Sequence, residues 1–475
     1  MNDIERLYQT YLASQRVTTD SRAITPGCIF FAFKGERFDG NAFAQKALEQ
    51  GAALCVVSDS SYAVDDRCMV VPDVLATLQA LARHHRSRLT IPVVGITGTN
   101  GKTTTKELVH AVLSKRYRTA ATRGNFNNHL GVPLTLLSIP ADAEMAVVEM
   151  GANHPGEIAQ LCAIAEPDCG LITNVGNAHL EGFGSFEGVV RTKTELYRHL
   201  AGKHGLVFVN ADNERLMHEA ERLATIPGLR SVIPAYAPDN PAFVPSAIEQ
   251  TPLSMLTYGR SQEADIRGTL VAGHPDNETT TKQGNGSTSP YLHFYFEVDD
   301  RVYNVRTHLL GDYNFDNCMA AVAVGLHFGV EPFDIKEAIE SYMPGNQRSE
   351  WKQTGRNSLY LDCYNANPSS MAAAIATFRS MDAERKMAII GGMHELGGAE
   401  RTEHERIVEQ LAACGLEQCL LVGSEFDGMA LPHPMRRFAD TEAVRQWLRQ
   451  NPVNGATILI KGSNTNRLWT LEEEL

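Results

Sequence analysis

The sequence predicts an α/β protein with about three domains. The chain has 475 residues, of which 43% are hydrophobic, which is enough for several ordinary cores. From about residue 89 onward, strand-sized apolar runs alternate with helix-compatible stretches, as in mostly parallel sheets that are covered on both faces. Residues 93–105 pass from an apolar run through a Gly/Thr loop into a helix-compatible stretch, and we expect the rest of the chain to be organised around them.

The composition and net charge of the chain argue against several classes of protein. The formal net charge of −13 argues against a nucleic-acid-binding protein, which usually carries a basic surface. The apolar runs are strand-sized, and the first five residues lack the basic and then apolar pattern of a signal peptide. The nine cysteines include no C-x-x-C pair, which favours reduced thiols. We therefore expect a cytoplasmic protein without nucleic-acid or membrane partners. We also expect it to act as a monomer on small molecules.

Residues 1–88 predict a small α/β unit. A short opening helix is followed by a strand over 28–33, a helix over 42–50, a strand over 53–57 and a helix over 74–86. Turn signals separate them at Pro26-Gly27 and at Asp39-Gly40. The run Asp20-Ser21-Arg22 taken alone is typical of a capped turn with a surface ion pair.

Residues 89–310 predict a central unit that begins with a phosphate-binding loop, Thr97-Gly98-Thr99-Asn100-Gly101-Lys102-Thr103-Thr104. The glycines allow successive backbone N–H groups to converge on an anion at the start of a helix predicted over 103–113. Lys102 would neutralise the terminal phosphates, and the Thr103 hydroxyl would ligate Mg²⁺. Ile96 stands where the general Walker pattern requires glycine, so only the core of that pattern is present.

Two further strands, over 144–150 and 169–175, run into glycine-containing loops at their carboxyl ends. Glu149 ends the first strand, where a carboxylate is costly unless it meets a cation, so we expect it to ligate a metal. His179 follows the second strand and is a weaker candidate on its own. Lys193, in a helix-like stretch, is expected from the sequence alone to be an exposed lysine. The polar segment 279–290 predicts a flexible hairpin tip.

Residues 311–475 predict a third, doubly wound α/β unit. We expect a helix over 315–328 and strands over 358–362, 386–390, 418–422 and 457–460, with helices between them. Asn and Asp clusters at the element boundaries can act purely as helix N-caps. Their recurrence within one unit, together with the Gly391–Gly397 and Lys461-Gly462-Ser463 runs, favours a polar ligand surface.

The phosphate loop, Glu149, the run Asn174-Val175-Gly176-Asn177-Ala178-His179, Lys193 and the run Leu310-Gly311-Asp312-Tyr313-Asn314-Phe315-Asp316-Asn317 together resemble the Mur ligase family of ATP-dependent amide-forming enzymes. The resemblance spans nearly the whole chain. It implies a three-domain architecture with a UDP-sugar-binding amino-terminal domain, a central P-loop ATPase domain and a Rossmann-like carboxyl-terminal domain that binds the incoming amine.

The resemblance also implies a role for each candidate residue. ATP and its phosphates would be bound by Gly98, Thr99, Asn100, Gly101, Lys102, Thr103, Thr104, Asn314, Asn317 and Arg348. Two Mg²⁺ ions would be held by Thr103, Glu149, His179 and a Lys193 that is carbamylated by CO₂, and Lys102, His179 and Lys193 would be the catalytic residues. The substrates would be bound by Asp20, Ser21, Arg22, Lys34, Asp39, Asn125, Asn127, Asn128, Asp362, Tyr364, Asn365 and Asn367.

Within the family, the stretches 124–135, 151–158, 179–185 and 364–368 are similar to the members that join D-alanyl-D-alanine to UDP-N-acetylmuramoyl-tripeptide through an acyl phosphate, in peptidoglycan precursor synthesis. The alternative is the member that adds the third amino acid to the UDP-muramoyl-dipeptide, but the Asp-Asn-Pro-Arg motif of that member is missing here. Folylpolyglutamate synthase, which has no such amino-terminal unit, is a more distant alternative. From another class, a nucleotide-switched binding protein would hydrolyse ATP without forming an amide.

Overall fold

A computed structural model describes residues 3–35, 38–224, 253–271, 290–345 and 347–475 of the chain. The predicted α/β class is confirmed: three sheets of mostly parallel strands follow one another along the chain. All but the last residue of the predicted insertion at 279–290 lie outside the described residues. Within the described ranges, none of the helices combines the length and the apolar character needed to cross a lipid bilayer.

The first sheet has four parallel strands in the order β1-β2-β3-β4. Its helix α3 begins after Asp73, whose carboxylate accepts the N–H of Ala76 as an N-cap. The Tyr11 hydroxyl donates to the carbonyl of Leu137 at 2.9 Å, so this unit packs directly on the next one. The elements of this unit are α1 (Asp3–Ser14), β1 (Val17–Thr18), β2 (Ile29–Phe31), α2 (Ala44–Glu49), β3 (Leu54–Val57), β4 (Cys68–Val70) and α3 (Val74–Arg86).

The second sheet has nine strands in the order β13-β12-β11-β10-β9-β8-β5-β7-β6. The strands from β5 to β11 run parallel to one another, whereas β12 is antiparallel to β11 and forms an antiparallel pair with the edge strand β13. The elements are β5 (Val93–Thr97), α4 (Lys102–Leu113), β6 (Thr119–Ala121), α5 (Gly131–Leu137), β7 (Met145–Glu149), α6 (Glu157–Ala165), β8 (Cys169–Ile172), α7 (Leu180–Phe183), α8 (Phe186–Lys193), α9 (Glu195–Ala201), β9 (Leu206–Asn210), α10 (Glu214–Leu223), β10 (Ser254–Gly259), β11 (Ile266–Leu270), β12 (Tyr291–Val298) and β13 (Arg301–Leu310).

The register of this sheet gathers the loops that carry the candidate residues. Strand β5 pairs with β7 through Ile96 and Glu149, and with β8 through Thr97 and Ile172. The carboxyl ends of all three strands therefore lie side by side at one edge. This edge is where open α/β sheets bind their ligands.

The third sheet has six strands in the order β14-β15-β19-β16-β17-β18, with β14 antiparallel to the rest. Helices α11 and α12 precede it and pack in the core of the second sheet, although both follow residue 310. The division of the chain at residues 88 and 310 stays a prediction. The elements are α11 (Asn314–His327), α12 (Pro332–Ser341), β14 (Glu350–Gln353), β15 (Ser358–Asp362), α13 (Pro368–Ser380), β16 (Lys386–Gly391), α14 (Glu400–Ala412), β17 (Gln418–Val422), β18 (Met435–Phe438), α15 (Thr441–Gln450) and β19 (Thr457–Lys461).

The cysteines are as expected from their spacing. All nine are free thiols, and eight of them are buried in the packed cores. Burial raises the pKa of Cys55 to about 12, so this thiol stays protonated and unreactive at neutral pH.

Candidate active site

The phosphate loop connects β5 to α4, and its two glycines are required by close contacts as well as by backbone angles. Gly98 has a φ of 144° and Gly101 a φ of 77°. A Cβ atom at Gly98 would lie 2.0 Å from Oγ1 of Thr173, and one at Gly101 would lie 2.4 Å from Oδ1 of Asn317. The first four N–H groups of an α-helix have no partner within the helix, and at the start of α4 they belong to the loop that we predict to hold phosphate.

Lys102 is folded back over this loop. Its Nζ donates to the carbonyls of Gly98 at 2.8 Å and Thr99 at 2.9 Å. Burial lowers the pKa of Lys102 to about 8, and the attraction of Glu149 only partly opposes this effect. An anion at the loop would pair with the buried ammonium and favour its charged form.

Glu149 and Thr103, which we predict to be metal ligands, lie next to each other. The Thr103 hydroxyl lies 3.2 Å from Oε1 of Glu149, and Nδ2 of Asn127 donates to the same oxygen at 2.8 Å. Within the described part of the chain, Oε2 of Glu149 is buried and has no hydrogen-bond partner. A buried carboxylate oxygen left in this way is costly, and a hard cation would satisfy it. These residues therefore fit Mg²⁺.

His179 is the N-cap residue of α7 and has a left-handed conformation, with a φ of 50°. The structure pairs its Nδ1 with Oε2 of Glu395, a residue of the third unit. Burial lowers the pKa of His179, and its hydrogen bond to Glu395 only partly opposes this effect. The described residues contain no group of three or more His, Cys, Asp and Glu side chains that could hold a metal by themselves. Metal binding by His179 stays a prediction.

The expectation that Lys193 is exposed is wrong. Its residue accessibility is 2%, because α8 packs its last turn against the loop after β7. Nζ donates to the carbonyl of Ala152 at 3.2 Å and lies 5.4 Å from the centroid of the Phe183 ring. Burial is the main cause that holds the pKa of Lys193 well below its usual value, and repulsion from Lys102 adds to it.

Asn314 and Asn317 lie at the start of α11, directly behind the phosphate loop. Nδ2 of Asn314 donates to the carbonyl of Leu310 at 2.7 Å, and Nδ2 of Asn317 donates to Oδ1 of Asn314 at 2.8 Å. Oδ1 of Asn317 accepts the Thr105 hydroxyl at 3.0 Å. The two amides thus connect α11 to α4 and also face the cavity beside the loop.

Charged residues of the third unit form one wall of the cavity beside the phosphate loop. Lys461, at the end of β19, is buried and lies 2.6 Å from Oδ2 of Asp362, and its Nζ also donates to the carbonyl of Asn365 at 3.2 Å. The guanidinium carbon of Arg348 lies 3.8 Å from the ring centroid of Tyr364. This stacking holds a positive charge next to the cavity.

Asn367, which we predict to bind substrate, forms hydrogen bonds to other residues of the protein. Its Oδ1 accepts the N–H of Ser370 at 2.9 Å and forms a capping box at the start of α13. Its Nδ2 donates to Oδ1 of Asn100 in the phosphate loop at 2.8 Å. The side chain of Asn367 therefore caps α13 and also contacts the phosphate loop.

One cavity of about 1030 Å³ joins these elements, and helix α3 of the first unit closes one side of it through Leu75 and Gln79. Gly98, Lys193 and Asn367 lie behind its walls rather than on them. The predicted residues on the walls are Thr99, Asn100, Gly101, Lys102, Thr103, Thr104, Asn125, Asn127, Asn128, Glu149, His179, Asn314, Asn317, Arg348, Asp362, Tyr364 and Asn365.

Three of the predicted residues of the first unit, Asp20, Ser21 and Arg22, line a separate cavity of about 460 Å³, and Lys34 and Asp39 do not. Arg22 holds Asp20 through Nε and Nη2 at 2.9 and 2.8 Å, and this pair lowers the pKa of Asp20 to about 2. Lys34 lies 3.6 Å from Asp39 nearby, outside the cavity wall. The wall is formed by Thr19, Asp20, Ser21, Arg22, Phe30, Phe33, Phe38, Gly40 and Phe43.

Four residues that the sequence did not single out as site residues support the predicted ones. Asn174 accepts the N–H of Asn100 at 3.0 Å, and the Thr122 hydroxyl accepts the N–H of Glu149 at 3.0 Å. The other two are Glu395 and Lys461, which lie in the Gly391–Gly397 and Lys461-Gly462-Ser463 runs that favour a polar ligand surface. Asn174 lies two residues after the end of β8, and that position was the available signal.

Three family profiles match this chain in order. The profile of the Mur ligase family catalytic domain matches residues 14–86, that of the Mur ligase middle domain residues 96–227, and that of the Mur ligase glutamate ligase domain residues 347–464. A UDP-N-acetylmuramoyl-tripeptide--D-alanyl-D-alanine ligase of Bacillus subtilis is 31% identical over 97% of this chain and 92% of the relative. The chain belongs to the Mur ligase family.

Further relatives agree with this assignment. An enzyme of the same name from Escherichia coli is 33% identical over 94% of the chain and 91% of the relative. The structure of MurF ligase from Thermotoga maritima in complex with ADP has a TM-score of 0.79 at 26% identity, covering 100% of this chain and 98% of that one. MurF from Acinetobacter baumannii has a TM-score of 0.79 at 27% identity, with 98% and 97% covered. The fold of this Mur ligase is thus the three-domain architecture of those structures.

Proposed function

We propose that this Mur ligase joins D-alanyl-D-alanine to UDP-N-acetylmuramoyl-tripeptide, with ATP converted to ADP and phosphate, in cytoplasmic peptidoglycan precursor synthesis. The observation that carries the proposal is the buried Lys102 on its phosphate loop beside a partly unpartnered Glu149, in a cavity bordered by all three units. The relatives' names, over more than nine-tenths of their lengths, favour this reaction over addition of the third amino acid.

ATP would lie with its phosphates on the loop and its base towards Asn314, Asn317 and Arg348. Mg²⁺, held by Thr103, Glu149 and His179, would neutralise the phosphate oxygens. Lys102 would pair with the charge that develops when the substrate carboxylate attacks the γ-phosphoryl group to give an acyl phosphate. The amine of the dipeptide would then displace phosphate. Helix α3 and the third unit would exclude water, to which an acyl phosphate is labile.

The UDP group would bind at the cavity around Asp20, Ser21 and Arg22. This cavity has aromatic walls and a guanidinium at its rim, which suits a base and an anionic phosphate. The dipeptide would bind at the wall formed by Asp362, Tyr364 and Asn365, where the buried Lys461 balances the charge of Asp362. Asn125, Asn127 and Asn128 would contact the peptide part of the UDP substrate from the opposite wall.

We also propose that Lys193 is carbamylated in the active enzyme and that the resulting carboxylate supports a second Mg²⁺. Burial supports this, since a lysine whose pKa is lowered has the neutral amine that reacts with CO₂. The contact of its Nζ with the carbonyl of Ala152, a residue of the cavity wall, also supports the proposal, because the modified atom would lie beside the cavity that we propose to hold the nucleotide.

The test of the proposed function is direct. The purified protein is incubated with ATP, Mg²⁺, D-alanyl-D-alanine and UDP-muramoyl-tripeptides that contain lysine or diaminopimelate, and the products are weighed by mass spectrometry. We expect one amide product and one phosphate per ADP. A parallel reaction with UDP-muramoyl-dipeptide and a third-residue amino acid should give none. Phosphate release without any amide would instead identify a nucleotide-switched binding protein.

Glu149→Gln should raise the Mg²⁺ concentration that gives half-maximal rate, by roughly tenfold or more, because a neutral amide is a poorer ligand for a hard cation. The measurement is a Mg²⁺ titration of the ligation rate at saturating substrates. Glu144→Gln is the matched control, since Glu144 directly precedes the same strand at its other end and pairs with Arg118. Identical titrations of the two variants would contradict metal binding by Glu149.

A further inference from the structure

The phosphate loop and the third unit are joined by a closed ring of three side-chain hydrogen bonds. Nδ2 of Asn100 donates to Oγ of Ser369 at 2.8 Å, Oγ of Ser369 donates to Oδ1 of Asn367 at 3.0 Å, and Nδ2 of Asn367 donates to Oδ1 of Asn100 at 2.8 Å. Each of the three side chains therefore donates one bond and accepts one bond within the ring. Bonds that all run in one direction polarise one another, so the loss of one weakens the others.

On the side of the third unit, the ring is attached to a rigid helix start. Oδ1 of Asn367 also accepts the N–H of Ser370, and the N–H of Asn367 donates to Oγ of Ser370 at 3.1 Å. These two bonds form the capping box of α13, and Asn367 is buried. The position of the ring therefore follows the position of α13.

On the side of the central unit, the ring acts on the residue before Gly101 and Lys102. The N–H of Asn100 donates to Oδ1 of Asn174, and its carbonyl accepts Nδ2 of the same residue, both at 3.0 Å. With its backbone held by Asn174 and its side chain held by the ring, Asn100 has little freedom left. Ser369 also approaches the loop after β8, because a Cβ atom at Gly176 would lie 2.9 Å from its Oγ.

We infer that Asn367 and Ser369 are positioning residues for the nucleotide, and that the phosphate loop takes its binding conformation when α13 is docked on it. This inference rests on the proposed function and goes beyond it. The unit that we propose to bind the dipeptide would thereby also complete the nucleotide site. Phosphoryl transfer would be favoured when the unit that supplies the attacking amine is in place.

Ser369→Ala tests the ring with the smallest structural change. We expect the dissociation constant for ADP with Mg²⁺, measured by calorimetry, to rise roughly fivefold, because the two ring hydrogen bonds of the Ser369 hydroxyl are lost and the third is weakened. The kcat/KM for ATP should fall by a similar factor. The KM for the UDP substrate and the melting temperature should not change. Ser380→Ala is the matched control, since its hydroxyl lies at the other end of α13 and donates to the carbonyl of Thr377.

Asn367→Asp breaks the ring of hydrogen bonds but keeps the N-cap of α13. The carboxylate still accepts the N–H of Ser370, but it places an oxygen where the amide donated to Asn100, so the two oxygens repel each other. We expect a larger loss of ADP affinity than in Ser369→Ala, together with a lower melting temperature, because the new carboxylate is buried and faces an oxygen. A double variant Asn100→Ala/Ser369→Ala should lose no more affinity than Asn100→Ala alone, because the two residues act through the same ring.

The outcomes separate this inference from the proposed function. If Ser369→Ala binds ADP as tightly as the Ser380→Ala control, or if the losses of Asn100→Ala and Ser369→Ala multiply in the double variant, the ring does not position the loop. If the unaltered protein binds ADP but forms no amide, the proposed function is wrong, and the ring is then judged by ADP affinity alone.

Discussion

Lys102→Ala should reduce the ligation rate by roughly a hundred- to a thousandfold, the range measured when a single charge-stabilising group is removed from a transition state. The physical reason is that Lys102 is buried beside the proposed position of the γ-phosphate. Within the described contacts, no other lysine donates to the loop carbonyls of Gly98 and Thr99, so none could replace it. Binding of the UDP substrate, measured by calorimetry, should stay close to normal, because its proposed site around Asp20 is a separate cavity.

The control for charge is Lys115→Ala, which removes a lysine just beyond the end of the same helix, where it pairs with Glu337. This variant should keep the activity of the unaltered enzyme. If Lys102→Ala lost affinity for the UDP substrate as severely as activity, the assignment of the two cavities to different substrates would be wrong.

The lowered pKa of Lys102 also predicts that the affinity for ADP depends on pH. The pKa of Lys102 is lowered to about 8, and a bound phosphate would raise it, so nucleotide binding takes up a proton above that pH. The affinity for ADP should therefore be constant below pH 8 and fall as the pH rises further, by up to about tenfold per pH unit. Calorimetry across this range measures it, and Lys102→Ala should show no such decline.

The parts of the site that could be predicted from the sequence are those whose signal is local. Gly98, Gly101 and Lys102 lie within five residues, and their spacing alone requires a tight turn before a helix. Glu149 was recognisable because a carboxylate at the end of an apolar strand needs a partner. The strand and helix pattern also gave the α/β class, although short edge strands such as β4, β6 and β18 were missed, since three or four residues carry too little periodicity.

The parts that could not be predicted depend on contacts between distant stretches. His179 and Glu395 are 216 residues apart, and Asn100 and Asn367 are 267 residues apart. No pattern along the chain reports that such residues meet. The packing of α11 against the second sheet could not be predicted for the same reason. The apolar face of a helix does not indicate which sheet it will cover.

Lys193→Arg should be nearly inactive, with a loss of roughly a hundredfold or more, although it keeps the positive charge. The sequence around Lys193 is that of an exposed helix, but the side chain is buried against Ala152 and Phe183. A guanidinium stays charged at every physiological pH and cannot react with CO₂, so arginine cannot supply a carboxylate at this position. The ligation rate is the measurement, and Lys203→Arg, at an ion pair with Glu166, is the control.

The proposed carbamate gives this prediction a second, independent measurement. Short carboxylates such as acetate should partly restore Lys193→Ala, because they can occupy the space of the missing side chain and approach the metal in its place. Isotope-labelled bicarbonate should give a carbamate signal in carbon NMR of the unaltered enzyme and none in Lys193→Arg. Since the metal stabilises the carboxylate and the carboxylate holds the metal, the signal should strengthen when Mg²⁺ and ADP are added. Full activity of Lys193→Arg would leave Lys193 a buried structural lysine, whose amine does no more than bind the Ala152 carbonyl.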